Sequence, residues 1–399
     1  MRCFRNNGFK RAAYGIYNMK GKRLKRRRTF MKQRTFKKAA AGVLSLALLA
    51  GSLSVGSDVF GNDIKASAAD ERVATLKEAS ISLGGDMTYN FYLTVDSEDV
   101  SGLKAVIDGS HPLDGHVEYD LSTLTKGTDG TYKVSFSTFA TRMVKDLTLK
   151  VVDSDGDNID LKNSSGADID NDIFHYDLAQ YRNAAVAYYD SHTQEDTDMA
   201  KRNMIKATYN YCVYSAKYFN NITAIPEGEK APTELTKTID LSAVGTPAYD
   251  NLKGITPKSF AFICDFETGL RFYFTIDNES GNATSVTYDD WSTSQLQHYE
   301  WQVTKKLDAS IDNLYYVDID NTTNNKYWTN PKKLSQNLDM YLKNVNGESV
   351  GHVKISPLHV ANFCIKAANA GTTEKDAEDC LNFGYAFANF ANAANSFKY

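Results

Sequence analysis

Three groups of residues in this chain have the types and spacing to do chemistry. The first is aromatic and polar. Trp291 and Trp328 stand in polar, loop-like sequence, with Tyr288, Asp289 and Asp290 before one and Tyr327 before the other. A ring face stacks on the C–H-rich face of a sugar, and polar groups at its rim bind the hydroxyls. These residues are a candidate carbohydrate-binding set. Trp301 opens a strand-like stretch and is expected in the core.

The second group is acidic. Residues 153–160, DSDGDNID, offer Asp153, Asp155, Asp157 and Asp160, and calcium prefers several oxygen ligands. A helix–loop–helix calcium loop is excluded, because its sixth position is Asn158 and its twelfth is Ser164, where Gly and Glu are required. Alternating apolar residues on either side make a solvated Asp-Gly turn the plainer expectation.

The third group is Cys364 and Cys380. They lie about equally far from a polar break at residues 371–373, so on antiparallel helices they stand at similar heights. A disulfide between them closes a loop of about 15 residues, worth about 3 kcal/mol in the chain-entropy view. Against it, packed helices lie about 8–10 Å apart, longer than the usual disulfide span.

Catalytic patterns are missing from the sequence. It has seven histidines, but none in HExxH, and no GxSxG elbow. A carboxylate pair could hydrolyse a glycan, but the acids are too numerous for spacing to select one. Neither CxxC nor a Cys/His zinc spacing occurs, and no cofactor is expected.

The elements that must position these groups come twice. Residues 90–96 read NFYLTVD and residues 271–277 read RFYFTID. In both, apolar and polar side chains alternate, the pattern of a half-buried strand. A strand precedes each, so each pair reads as a hairpin. Residues 146–152 and 338–342 alternate again, meet the turns DSDGD and NVNG, and are expected to return in residues 158–161 and 352–355. Residues 181–219 and 359–397 then carry helical patterns broken once by polar residues. Helix starts are marked by Ser356-Pro357 and by Thr373 with Asp376. Tyr211, Tyr214 and Tyr218, like Phe383, Phe387 and Phe390, are expected to face the sheets, pair the two halves or dock a partner.

Four of the seven prolines (Pro226, Pro232, Pro247, Pro257) fall between the first helical stretch and the second strand set. The expected organisation is a first module over 70–222, a linker over 223–256 and a second module over 257–399. The fold class is α+β: two related modules, each a small antiparallel β-sandwich-like unit followed by an α-helical hairpin.

Residues 31–68 have a basic start, an apolar run from Ala39 to about Val55 and the small-residue site Ala66-Ser67-Ala68. That is the pattern of a secretory signal peptide. Residues 1–30 read as an upstream stretch before a true start at Met31, or as an extended basic leader. Residues 1–68 hold 16 of the 45 basic residues and 2 of the 49 acids. The remainder therefore carries 29 bases and 47 acids, a formal charge of −18. Such a chain is repelled by phosphate, so nucleic acid is not an expected partner. No membrane span is expected after leader removal, and no Leu-Pro-x-Thr-Gly signal follows the last helix.

Residues 81–93, ISLGGDMTYNFYL, resemble the strand opener of a family of secreted surface proteins of anaerobic Gram-positive bacteria. The resemblance continues through residues 139–147, FATRMVKDL, and through residues 211–219, YCVYSAKYF, which are similar to that family's YGAYAQKYF-like helix. LRFYF at 270–274 and YYVDI at 315–319 carry it into the second half. Where the family helix has Tyr-Gly, this chain has Tyr211-Cys212. The resemblance implies an exported protein with modular surface or cellulosomal neighbours, and it carries no catalytic residue onto this chain.

The sequence thus predicts a secreted or surface-retained, non-catalytic binding or adhesion protein, with a polysaccharide or cell-wall component as the ligand. A purely structural or protein-interaction role is the alternative, and a glycan hydrolase the third reading.

Overall fold

The computed structural model describes residues 72–397, apart from 84–86, 111–114, 193–195, 240, 264–268, 291–295, 307–310, 320–333 and 374–375. Trp291, Tyr327, Trp328, Cys264 and the expected leader lie outside the described residues. Within them the chain is α+β, with several sheets whose strands pair mostly antiparallel, and four α-helices.

In the first half, β1 (Val73–Leu83) and β2 (Met87–Val95) pair antiparallel, as the alternation predicts. They are followed by β3 (Lys104–Gly109), β4 (His116–Asp120), β5 (Tyr132–Thr138), β6 (Leu147–Val152), β7 (Asp160–Lys162) and β8 (Phe174–Tyr176). These eight make two four-stranded sheets, ordered β5-β2-β1-β7 and β4-β3-β6-β8. The sheets face each other through aromatic side chains. Phe91 on β2 meets Phe174 and Tyr176 on β8 edge to face, with centroids 6.3 and 5.7 Å apart. The expected return of 158–161 beside β6 does not form. Only Asn158 bridges Val152, and β7 crosses to pair parallel with β1. That crossing buries Leu161 in the core, which a plain hairpin extension does not require.

The second half contains β9 (Ala248–Asp250), β10 (Ile255–Ile263), β11 (Gly269–Ile276), β12 (Ala283–Asp290), β13 (Gln297–Lys305), β14 (Leu314–Ile319), β15 (Leu338–Asn344) and β16 (Ser349–Ile355). They form one sheet, β10-β11-β14-β13-β12-β15-β16-β9, rather than a two-sheet sandwich. The difference lies in one junction: Val303 on β13 pairs with Val317 on β14 and joins what would be two sheets. The sheet curls until Tyr249, on one edge strand, stacks on Phe272 near the other edge, 6.1 Å between centroids. The expected linker is shorter than 223–256, because β9 and the start of β10 lie within that span.

Residues 181 apart sit in the same register in the two halves. Ala74 pairs with Val95 and Ala79 with Phe91; Ile255 pairs with Ile276 and Phe260 with Phe272. Each hairpin carries one register shift, between Leu76 and Glu78 in the first and between Pro257 and Ser259 in the second. Pro257 is tolerated there because β10 is an edge strand with a bulge.

Each half ends in two antiparallel helices, α1 (Leu178–His192) with α2 (Asp196–Tyr218), and α3 (Leu358–Asn369) with α4 (Ala377–Ser396). Asp177 and Gln180 cap α1 reciprocally, each side chain accepting the other's backbone N–H at 2.8 and 2.9 Å. Ser356 accepts the N–H of Leu358 at the start of α3. The cap of α4 is Asp376 rather than Thr373, its carboxylate accepting the N–H of Glu378. The aromatic faces join the halves. Tyr211 stacks on Phe387 and Phe390 at 5.5 and 4.8 Å, and Tyr218 on Phe383 at 4.7 Å.

The segment between the halves lies across these helices. Arg182 donates to the carbonyls of Glu229 and Ala231, Tyr209 to that of Lys230, and Asn210 to that of Thr233. Asn389 and His359 take the carbonyls of Thr236 and Val244.

Candidate binding face

Strands β12, β13, β15 and β16 send alternate side chains inward and outward. Inward, Tyr288, Tyr299 and Trp301 form a buried ladder with 5.9 Å between successive centroids. Trp301 is therefore a core residue, as expected. Tyr288 is only 8% exposed and Asp290 only 1%, so neither contributes to an exposed platform. This corrects the sugar-stacking set. Tyr288 faces the core with Val286, two residues before it on β12, and Asp290 is enclosed where β12 ends. Asp289, between them, is exposed and meets His298, Nδ1 to Oδ1 2.6 Å.

Outward, one row crosses five strands: Glu300, Thr287, Tyr341, His352 and Asp250, each beside its cross-strand partner. Tyr341, which is not among the residues that the sequence offers for sugar stacking, is 44% exposed. Its ring stacks on that of His352 at 4.8 Å, with Lys343 Nζ 5.6 Å from its centroid. His352 stands between two carboxylates, Nδ1 3.5 Å from Asp250 and Nε2 3.3 Å from Asp339. Lys354 Nζ is 3.7 Å from the other oxygen of Asp339. Beside the row lies a shallow depression of about 300 Å³, bordered by Thr284, Thr287, Glu300, Gln302, Lys343 and Asn344. The arrangement offers one exposed ring among hydrogen-bonding groups of both signs, open to solvent. The signal for Tyr341 was present: it is the aromatic residue at an outward position of the LDMYLKN alternation.

The corresponding face of the first half shares one polar pair, Asp with His, and lacks the ring. His116 Nδ1 is 2.6 Å from Asp108 and its Nε2 2.9 Å from Glu118, and Lys104 pairs with Glu118 at 3.1 Å. Asp108 faces His116 across β3 and β4 as Asp289 faces His298 across β12 and β13. Where Tyr341 stands opposite Thr287, the first half has Lys150 opposite Val106. Hydrogen bonds to Glu118 and Asp108 raise the His116 imidazole above its ordinary range.

The acidic cluster is a turn. Asp153 Oδ1 accepts the N–H groups of Asp155 and Asp157 at 2.9 and 3.0 Å. Asp155, Asp157 and Asp160 point to solvent. The four carboxylates do not converge, and no group of three or more His, Cys, Asp or Glu among the described residues is placed to hold a metal. The same turn recurs with amides. Asn163 serves Ser165 and Ala167, and Asn344 serves Asn346 and Glu348. The fourth residue is Gly156, Gly166 or Gly347, with φ of 90°, 85° and 77°, a left-handed conformation that glycine alone adopts freely.

Cys364 and Cys380 are brought together as the helical spacing predicts, buried on facing sides of α3 and α4 with both thiols free. The Cys380 thiol points at the Cys364 carbonyl, 3.5 Å away. Cys212 lies elsewhere, its thiol 3.4 Å from the sulfur of Met87. No helix among the described residues is long and apolar enough to cross a membrane. No model of a known protein family matches the chain, and no curated protein matches it in sequence.

Proposed function

We propose that this chain is an exported, non-catalytic binding protein of two modules related by tandem duplication, and that it holds a glycan on the outer face of the second module. The leader pattern of residues 31–68 and the acidic remainder support export. The resemblance of ISLGGDMTYNFYL and YCVYSAKYF to secreted surface proteins supports it too. Duplication is supported by the two matched hairpin registers and by strand order. The orders β5-β2-β1 and β4-β3-β6-β8 correspond to β14-β11-β10 and β13-β12-β15-β16.

The observation that carries the glycan reading is Tyr341. An exposed ring, set in a row with Thr287, Glu300, His352 and Asp250, supplies a stacking face and a rim of donors and acceptors. An open face suits a polymer, which needs no enclosed cavity.

The test is retention of the purified protein on insoluble plant polysaccharides, cell wall and mucin, wild type beside Tyr341→Ala. Saturable retention that the variant loses supports this face as the site. Retention unchanged in the variant moves the site to the segments carrying Trp291 and Trp328. No retention on any matrix favours the structural or protein-interaction reading, and release of reducing ends favours a hydrolase.

A further inference from the structure

The helical hairpin of the second half brings two thiols together in a way that ordinary helix packing does not. Gly384 on α4 lies directly against α3. A Cβ built there would come within 2.9 Å of the Ala361 carbonyl oxygen, 2.8 Å of Ile365 Cγ1 and 3.3 Å of Cys364 Cβ. The backbones therefore approach more closely than any larger residue permits, one turn from Cys380. This close approach works against the objection from helix separation, because disulfides need Cα atoms about 4.4–6.8 Å apart, nearer than ordinary helix packing brings them. Both cysteines are buried in this contact, and the Cys380 sulfur lies 3.5 Å from the carbonyl oxygen of Cys364.

We propose that Cys364 and Cys380 are a dithiol–disulfide pair, closed by a small disulfide oxidant and reopened by thiol reductants. Cys380 stands in the first turn of α4, where the helix N-terminus favours a thiolate. Hydrogen bonding between the two thiols favours the thiolate at Cys380, against the effect of burial, and disfavours it at Cys364, where burial acts in the same direction. The Cys380 sulfur attacks one sulfur of the oxidant and expels one thiolate. The Cys364 sulfur then attacks Cys380 in the mixed disulfide and expels the second. The protein gives up two electrons and two protons, and the oxidant leaves as two thiols.

The bridge has a consequence beyond its own hairpin. Phe383, one residue before Gly384, stacks on Tyr218 of the first half at 4.7 Å and meets Phe219 edge-on at 5.7 Å. Closing Cys364 to Cys380 pins the start of α4 and so the contact between the halves.

The experiment treats the purified full chain with oxidised glutathione, then alkylates and maps the peptides. The expected result is loss of two of its five thiols, one linked peptide pair carrying Cys364 and Cys380, restoration by dithiothreitol, and slower amide exchange in α4 when oxidised. Five alkylated thiols, a glutathione adduct that persists, or a bridge to another cysteine overturns the proposal. Gly384→Ala, which forces the helices apart, is expected to slow bridging at least tenfold relative to wild type; bridging at the wild-type rate in that variant also overturns it.

Discussion

His359 and Val244 lie 115 residues apart in the chain and 2.8 Å apart in the fold, the imidazole Nε2–H donating to the carbonyl oxygen. The other ring nitrogen, Nδ1, accepts the N–H of Ser356 at 2.9 Å. Both nitrogens are thus used by one neutral tautomer, which ties the segment between the two halves to the start of α3. Burial holds this imidazole below its ordinary value, with the Val244 bond opposing that shift.

The sign of the resulting pH dependence follows. Above about pH 6.5 His359 is neutral in folded and unfolded chains alike. As pH falls from there through the lowered folded value, only the unfolded chain takes up the proton, so stability declines. Urea unfolding at pH 7.5 and 5.5 is expected to show this loss. His359→Ala is expected to cost about 1–3 kcal/mol at pH 7.5, because it leaves buried partners unsatisfied, and to flatten the decline.

His116 behaves in the opposite sense. Its raised value means that its contribution is complete below about pH 6.5 and is lost as pH rises through the folded value. The side chain is more than half exposed, so the effect on stability is small. The direct measurement is the NMR titration of its ring. Asp108→Asn and Glu118→Gln are each expected to lower the midpoint; an unmoved midpoint means the pairs do not persist in solution.

The turn assignment of Asp153 predicts a pattern that calcium binding does not. Asn163 and Asn344 perform the same service, so Asp153→Asn is expected to change stability by less than about 0.5 kcal/mol. Asp153→Ala removes two acceptor bonds and is expected to cost about 1 kcal/mol. Thermal unfolding with calcium and with chelator is expected to superimpose for all three proteins.

Inward and outward aromatics on the second sheet are separable by mutation. Trp301→Ala empties a buried site and is expected to cost about 3–5 kcal/mol. Tyr341→Ala removes a ring from the surface and is expected to stay within about 1 kcal/mol of wild type. Denaturation midpoints for the two variants check this, and a stable Tyr341→Ala protein is the one needed for the retention assay.

Phe387 is fully buried between the halves, stacked on Tyr211. Phe387→Ala is expected to cost about 3–5 kcal/mol. If the halves unfold as one unit, a single transition shifts; a split into two transitions identifies the helix contact as what couples them.

Much of the architecture was readable from local pattern. Period-two alternation placed β2, β11, β6 and β15, because neighbouring side chains of a strand must point to opposite faces. The repeat of NFYLTVD as RFYFTID located two equivalent hairpins, and the polar breaks in the two helical patterns separated α1 from α2 and α3 from α4. Alternation does not say which face another layer covers. That depends on contacts made far along the chain, so the sequence offers Tyr288 and Asp290 to a surface where the fold makes them core, and does not single out Tyr341, which the fold exposes. Likewise an aspartate beside an Asp-Gly turn has the same sequence whether its oxygens face a cation or its own backbone; only the folded loop directs Asp153 to two N–H groups. The joining of β13 to β14 and the close approach at Gly384 were decided by tertiary packing alone, since each depends on how near two distant backbones come, a distance that no local pattern encodes.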